Sequence, residues 1–226
     1  MSVTLIANAA AGGGSTSATT GAVDSTGANL AVVPGGRLFS SITWSDSKGN
    51  TFTALSTYTH SIFGGSLAYC LNLTVGSGHT FTGSGTQPAV GASLFSGVDA
   101  YDQESGSGGG GSSTRQPGSI TPPSDGCLFF TGFTADNNNY WAVDSGFTLA
   151  GSIDNSPGTH FSVAWAYKIQ TTAAAENPTW TEVGSNNNNI AFMATFTPAA
   201  GGGGIHAHRK VNSPRLAGKI GGGLVS

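Results

Sequence analysis

Two histidines one residue apart, His206 and His208, are the nearest thing in this 226-residue chain to a metal-binding pair. On an extended backbone such residues project to the same side, so two imidazoles could face one transition metal. A stable site takes three or four ligands, and no third imidazole, thiolate or carboxylate stands beside them, so a solvated polar segment and no metal are expected. Acidic residues gather at Asp99, Asp102 and Glu104, and again at Asp136 and Asp144 around Asn137 to Asn139. Paired carboxylates can hydrolyse glycosides, and loop carboxylates with amides can hold calcium. Asp and Asn are equally the ordinary residues of tight turns, because their side chains bond to nearby backbone, and that is the expectation here. No Gly-x-Ser-x-Gly joins a strand to a helix, and the glycines from Gly106 to Gly111 lack the lysine and helix of a phosphate loop. No catalytic residue, no cofactor and no enzyme activity are therefore expected. Tyr140 and Trp141, beside the Asn run, form the candidate glycan contact, since exposed aromatic rings stack on sugars.

The elements that position these residues read as strands. Phe161, Val163, Trp165, Tyr167 and Ile169 alternate with Ser162, Ala164, Ala166 and Lys168, which gives one bulky face and one small or polar face. Ile190, Phe192, Ala194 and Phe196 repeat the pattern, as do Leu67, Tyr69, Leu71 and Leu73, and Gly, Asn or Pro clusters bound each run. Phe161, Val163, Trp165, Tyr167, Phe192 and Phe196 are expected in the core. Beyond one short turn over Thr171 to Glu176, no window shows uninterrupted helical spacing. Many short strands bury alternating faces best as two packed antiparallel sheets. The expected fold is an all-β antiparallel sandwich of jelly-roll or Greek-key type, over residues 1–198, followed by an extended C-terminal tail over 199–226. Ala9 to Ala28 and the Gly/Ser-rich stretch Ser105 to Gln116 read as irregular, the latter as a surface loop.

Composition narrows the function. With 36 glycines and only 8% charged residues but 38% hydrophobic ones, the chain reads as turn-rich and folded. A net charge of −3 gives no general attraction to a phosphate backbone, so nucleic acid is not an expected partner. The first residues lack the basic and apolar regions of a secretory leader, and no apolar run is long enough to span a bilayer as a helix. Cys70 and Cys127 lie in strand-like runs and are expected as buried free thiols. The tail differs from the rest. It carries four of the eight Lys and Arg residues, Arg209, Lys210, Arg215 and Lys219, and no acid. Among and beside them stand Ile205, His206, Val211, Leu216 and Ile220, so the segment is a candidate docking arm for an acidic partner with shallow apolar pockets.

Ser45-Asp-Ser-Lys-Gly-Asn-Thr-Phe-Thr-Ala-Leu55 resembles a motif of Gly-rich β-sandwich structural proteins of tailed bacteriophages and prophages. Lys48-Gly49-Asn50 supplies a turn with a position for φ > 0, and its flanks are expected as the two arms of a hairpin. Leu94-Phe-Ser-Gly-Val-Asp-Ala-Tyr-Asp-Gln103 is a second shared stretch, expected to run from a strand into an acidic turn. Asp125-Gly-Cys-Leu-Phe129 is a third, expected to open a buried strand. The resemblance covers residues 1–198 and implies a virion structural protein, such as a capsid decoration or accessory head or tail protein. The implied location is the virion, after synthesis in the host cytoplasm, and the implied partners are other virion proteins and further copies of the chain, with no membrane. It carries over no functional residue. A carbohydrate-binding or host-adhesion module of a phage tail or fibre is the alternative.

Overall fold

The computed structural model describes residues 2–12, 15–136, 140–144, 146–155, 161–183 and 188–200. Fifteen strands run through these residues, and no helix. In chain order they are β1 (Thr4–Gly12), β2 (Ser17–Thr19), β3 (Leu30–Asp46), β4 (Thr53–Ala54), β5 (Tyr58–His60), β6 (Phe63–Leu71), β7 (Phe81–Ser96) and β8 (Val98–Gly109). There follow β9 (Thr114–Arg115), β10 (Leu128–Ala135), β11 (Tyr140–Val143), β12 (Thr148–Asn155), β13 (Phe161–Ile169), β14 (Trp180–Val183) and β15 (Asn189–Pro198). The first sheet has the order β1-β7-β3-β6-β4, with β2 also on β7 and β5 also on β6. The second runs β12-β13-β10-β15-β8, and a third, small sheet runs β11-β14-β9. All pairings are antiparallel.

The first two sheets pack as a sandwich. Leu30, Val32, Leu67 and Phe95 from the first meet Phe130, Val163, Trp165, Phe192 and Phe196 from the second in one buried cluster, with Tyr167 packed at its edge. Leu67, Val163, Trp165, Tyr167, Phe192 and Phe196 are among the residues whose alternation marks the core in the sequence. Their neighbours are buried as well. Ala31, Val33, Ala92 and Leu94 point to the outer face of the first sheet, where Phe81, Leu73 and Val23 cover them. Phe133, Ala164, Ala166 and Ala191 point to the outer face of the second sheet, where Trp180 of the small sheet covers them. Trp180 stacks on Phe133, with ring centres 5.7 Å apart, and its Nε1 donates to Thr131 Oγ1 at 2.9 Å. The central strands are thus covered on both faces, and small residues occupy the positions that a one-sided sheet would give to polar ones.

Aromatic rings fit this close packing because glycines face them. An ideal Cβ at Gly91 would stand 2.5 Å from Trp165 Cη2, and one at Gly151 would stand 2.4 Å from Cζ2. The Phe192 ring lies in the same way between Gly65 and Gly132. Trp165 Nε1 donates to Ser93 Oγ at 3.0 Å, so its polar atom is paired inside the core.

Four local expectations are corrected. The flanks of Lys48-Gly49-Asn50 do not pair with each other: the end of β3 pairs with β7, and β4 pairs with β6. Gly49 does take a positive φ, of 76°. After Leu94-Phe-Ser the chain does not enter an acidic turn; it bends at Gly97, φ 74°, straight into β8. Ser105 to Gly109 continue β8 and pair with Met193 to Asn189 of β15, because that edge offers unpaired backbone groups and the small residues fit beneath β5. Gly106 lies directly against the Tyr58 ring. Both cysteines are free and buried, and no turn of helix forms over Thr171 to Glu176.

Candidate functional site

The sequence does not advertise a Ser-His-Asp constellation that the fold assembles among the described residues. Ser25 lies in the segment before β3, Asp46 ends β3, and His79 lies just before β7, bridged to Val23. His79 Nε2 lies 2.9 Å from Asp46 Oδ2 and Nδ1 lies 2.8 Å from Ser25 Oγ. The tautomer with hydrogen on Nε2 donates to Asp46 and leaves Nδ1 as an acceptor. Ser25 Oγ also accepts from the Gly76 N–H at 2.9 Å and faces the Gly76 carbonyl at 3.1 Å. Nucleophilic catalysis needs a hydroxyl that a substrate can reach and donors for the developing oxyanion. Ser25 and His79 have no exposed surface, the Asp46 side chain has none either, and the His79 ring stacks on Phe81 at 4.3 Å. The trio is a sealed clasp.

Asp46 is the hub of that clasp and the second residue of the Ser45–Leu55 stretch. Its Oδ1 accepts from the backbone N–H of Lys48 and of Asn50, and its Oδ2 from the Asn50 amide at 2.6 Å. Burial pushes the carboxyl pKa up, but the Asn50 side chain and backbone, His79 and the Lys48 N–H outweigh it and hold the group below its ordinary value. Asn50 in turn bonds to the Thr74 carbonyl and N–H, and Lys48 Nζ to the Ser77 carbonyl at 2.9 Å. A three-residue pattern that reads as a hairpin turn, Lys48-Gly49-Asn50, is therefore a corner stitched to a distant loop.

Four of the five acids singled out in the sequence are engaged in the same way, while Asp99 is exposed. Asp102 accepts from Thr195 Oγ1 at 2.8 Å, and Glu104 from the Ser56 hydroxyl and N–H. Asp136 accepts from Asn188 Nδ2, and Asp144 from the Thr179 N–H. Burial, followed by the charge of Glu104, pushes the hydroxyls of Tyr58 and Tyr101 up to about 12. Among the described residues, no three His, Cys, Asp or Glu side chains gather as a cation site.

A polar cleft of about 510 Å³ opens between the edge of the second sheet and the small sheet. Ser107 of β8, Thr114 and Arg115 of β9, Gln116 and Thr179 line it. Side chains on one face of β8 hold its wall: Gln103, Ser105 and Ser107 donate to the carbonyls of Thr121, Pro117 and Gln116. Asn189, fully buried, ties the floor together. It accepts from Arg115 Nε at 2.8 Å and donates to the Ser112 carbonyl and to Glu182. Arg115 Nη2 is buried without a hydrogen-bond partner. Gln116 donates to Thr179 Oγ1 and to the Asn177 carbonyl. Sequence reading missed this cleft because its residues are polar singles on short strands, with no spacing that marks a motif.

Tyr140 and Trp141 fall in β11, opposite Val183 and Glu182 of β14, and β14 pairs in turn with Thr114 and Arg115. The backbone thus puts this strand two strand spacings, about 10 Å, from the cleft strand; the two aromatic side chains lie outside the described set. Ile205, His206, Arg209, Lys210, Val211, Arg215, Leu216, Lys219 and Ile220 also lie outside the described residues. The last anchored group before them is the Ala199 N–H, which donates to the Gly97 carbonyl at 2.8 Å. Among family models, curated proteins and solved structures, none matches this chain.

Proposed function

We propose that the chain is a bacteriophage virion structural protein, a capsid decoration or accessory head or tail protein docked through residues 199–226, and that it is not an enzyme. The observation that supports this reading is the use made of the motif shared with phage sandwich proteins. Asp46, Lys48 and Asn50 spend their polar groups on backbone and on the buried His79, so what the resemblance carries is a rigid corner. The tail supplies attachment in this scheme. Its glycines give reach, its cations steer it to an acidic surface, and its aliphatic residues fill pockets there. The test is to truncate the chain after Pro198, check by circular dichroism that the sandwich folds, and quantify both forms in purified particles by mass spectrometry. The full chain is expected in particles and the truncated one is not. Equal incorporation would refute the docking role.

A second reading, glycan binding or host adhesion, is favoured by the cleft beside β9 and by the nearness of β11 to it. A glycan array on the purified full chain separates it from a purely architectural role.

A further inference from the structure

We propose that the cleft lined by Ser107, Thr114, Arg115, Gln116 and Thr179 binds an acidic saccharide, with Arg115 receiving the sugar carboxylate. The inference rests on the glycan reading and adds to it a site and a ligand class. Three features carry it. The lining offers a mixed set of groups: the Thr179 hydroxyl accepts from Gln116 and keeps its own hydrogen to donate, while Gln116 Oε1 remains an acceptor. Hydroxyl-rich ligands, which donate and accept at each carbon, match such a lining. The second feature is the guanidinium. Its Nε is fixed by Asn189, it lies against the backbone of Gly109 where a Cβ would stand 2.7 Å from Nη2, and Nη2 has no partner. A cationic donor held in place with bonding capacity unspent fits a carboxylate, whose negative charge strengthens the hydrogen bond it accepts. The third is the fixed frame: Ser107 is tied to the Gln116 carbonyl and Gln116 to residues 177 and 179, so the polar groups need little ordering on binding. Glu182, an acid on this floor, is buried and bonded to Asn189 Nδ2.

The probes are an alginate tetrasaccharide, in which every sugar bears a carboxylate, maltotetraose as its neutral counterpart, and inorganic phosphate as a simple anion. Binding to the full chain is followed by isothermal titration calorimetry and by chemical-shift changes. The alginate fragment is expected to bind at least tenfold more tightly than maltotetraose or phosphate, since a charge-assisted pair is worth about a factor of ten or more. Arg115→Gln, which keeps a donor toward Asn189, and Thr179→Val are each expected to weaken alginate binding at least fivefold with the fold intact by circular dichroism. Gly109→Ala, which displaces the guanidinium without removing it, should do the same. Equal binding of alginate and maltotetraose, phosphate competing as well as alginate, or no binding at all would each overturn the proposal. Array binding that survives all three cleft variants would likewise sink this site while leaving the glycan reading standing.

Discussion

Replacing Gly91 by Ala puts one methyl group where the Trp165 ring already is. The backbone at Gly91 lies outside the positive-φ region, so the substitution brings no conformational strain. In the unfolded chain it is favourable, because Ala has fewer states to lose, by roughly 0.4 to 1 kcal/mol. The folded state decides the sign. The new Cβ would stand 2.5 Å from Cη2 and 2.7 Å from Cζ2 and Cζ3 of a fully buried indole. The indole has little room to retreat, since Gly151 lies so close behind the same ring that a Cβ there would stand 2.4 to 3.0 Å from Cζ2, Cη2 and Cε2, and its Nε1 is bonded to Ser93. Overpacking of this kind costs roughly 1 to 3 kcal/mol, so a net loss of about 1 to 2 kcal/mol is expected. Trp165→Phe removes the outer ring that Gly91 faces. In that background Gly91→Ala should be neutral or stabilising, giving a coupling of about 2 kcal/mol in a double-mutant cycle. Urea denaturation of the four proteins, followed by fluorescence and circular dichroism, supplies the midpoints and slopes. Additivity within about 0.5 kcal/mol would refute the idea that this glycine is there to admit the ring.

Gly97→Ala combines a φ of 74° with a Cβ 2.3 Å from the Ser2 carbonyl oxygen, and about 3 kcal/mol of stability should go; Gly49→Ala, with φ 76° and open space, should cost only about 1 to 2 kcal/mol by the same denaturation assay. Asp46 is depressed below its ordinary value in the folded state, so its contribution is present above the unfolded value of about 3.9 and lost as pH falls through the folded one. Stability should therefore fall below about pH 4 in the parent. Asp46→Asn should lose roughly 1 to 3 kcal/mol at neutral pH and show a flatter acid limb in thermal melts across pH. Treatment with EDTA should leave the melting temperature unchanged; a drop of several degrees would reveal a bound cation.

The core was legible because alternation is a direct image of the pleat. Phe161, Val163 and Trp165 must share a side whatever the strand pairs with, and they do. What pairs with what was less legible. Gly49 signals a bend, yet nothing in its neighbours says that β3 will continue against β7 rather than against β4. The glycines and serines from Ser105 to Gly109 look flexible in isolation, and become a strand because β15 offers an edge and Tyr58 and Thr59 leave room only for small residues. The polar clusters were hidden for another reason. His79 lies 33 residues from Asp46 and 54 from Ser25 along the chain, and Arg115 meets Asn189 across 74. Their meeting is a property of the topology, which no local pattern encodes.

The double covering of the central strands sets a clock on the molecule. Every residue of β10 is buried, and its amides are bonded into ladders with β13 on one side and β15 on the other. Water cannot reach these amides through fraying of an edge or lifting of a single cover, because the opposite cover remains. Their deuterium exchange should follow only opening of the whole sandwich, and so measure its global free energy directly. The two-residue strand β9 should exchange much sooner, before the sandwich beneath it opens.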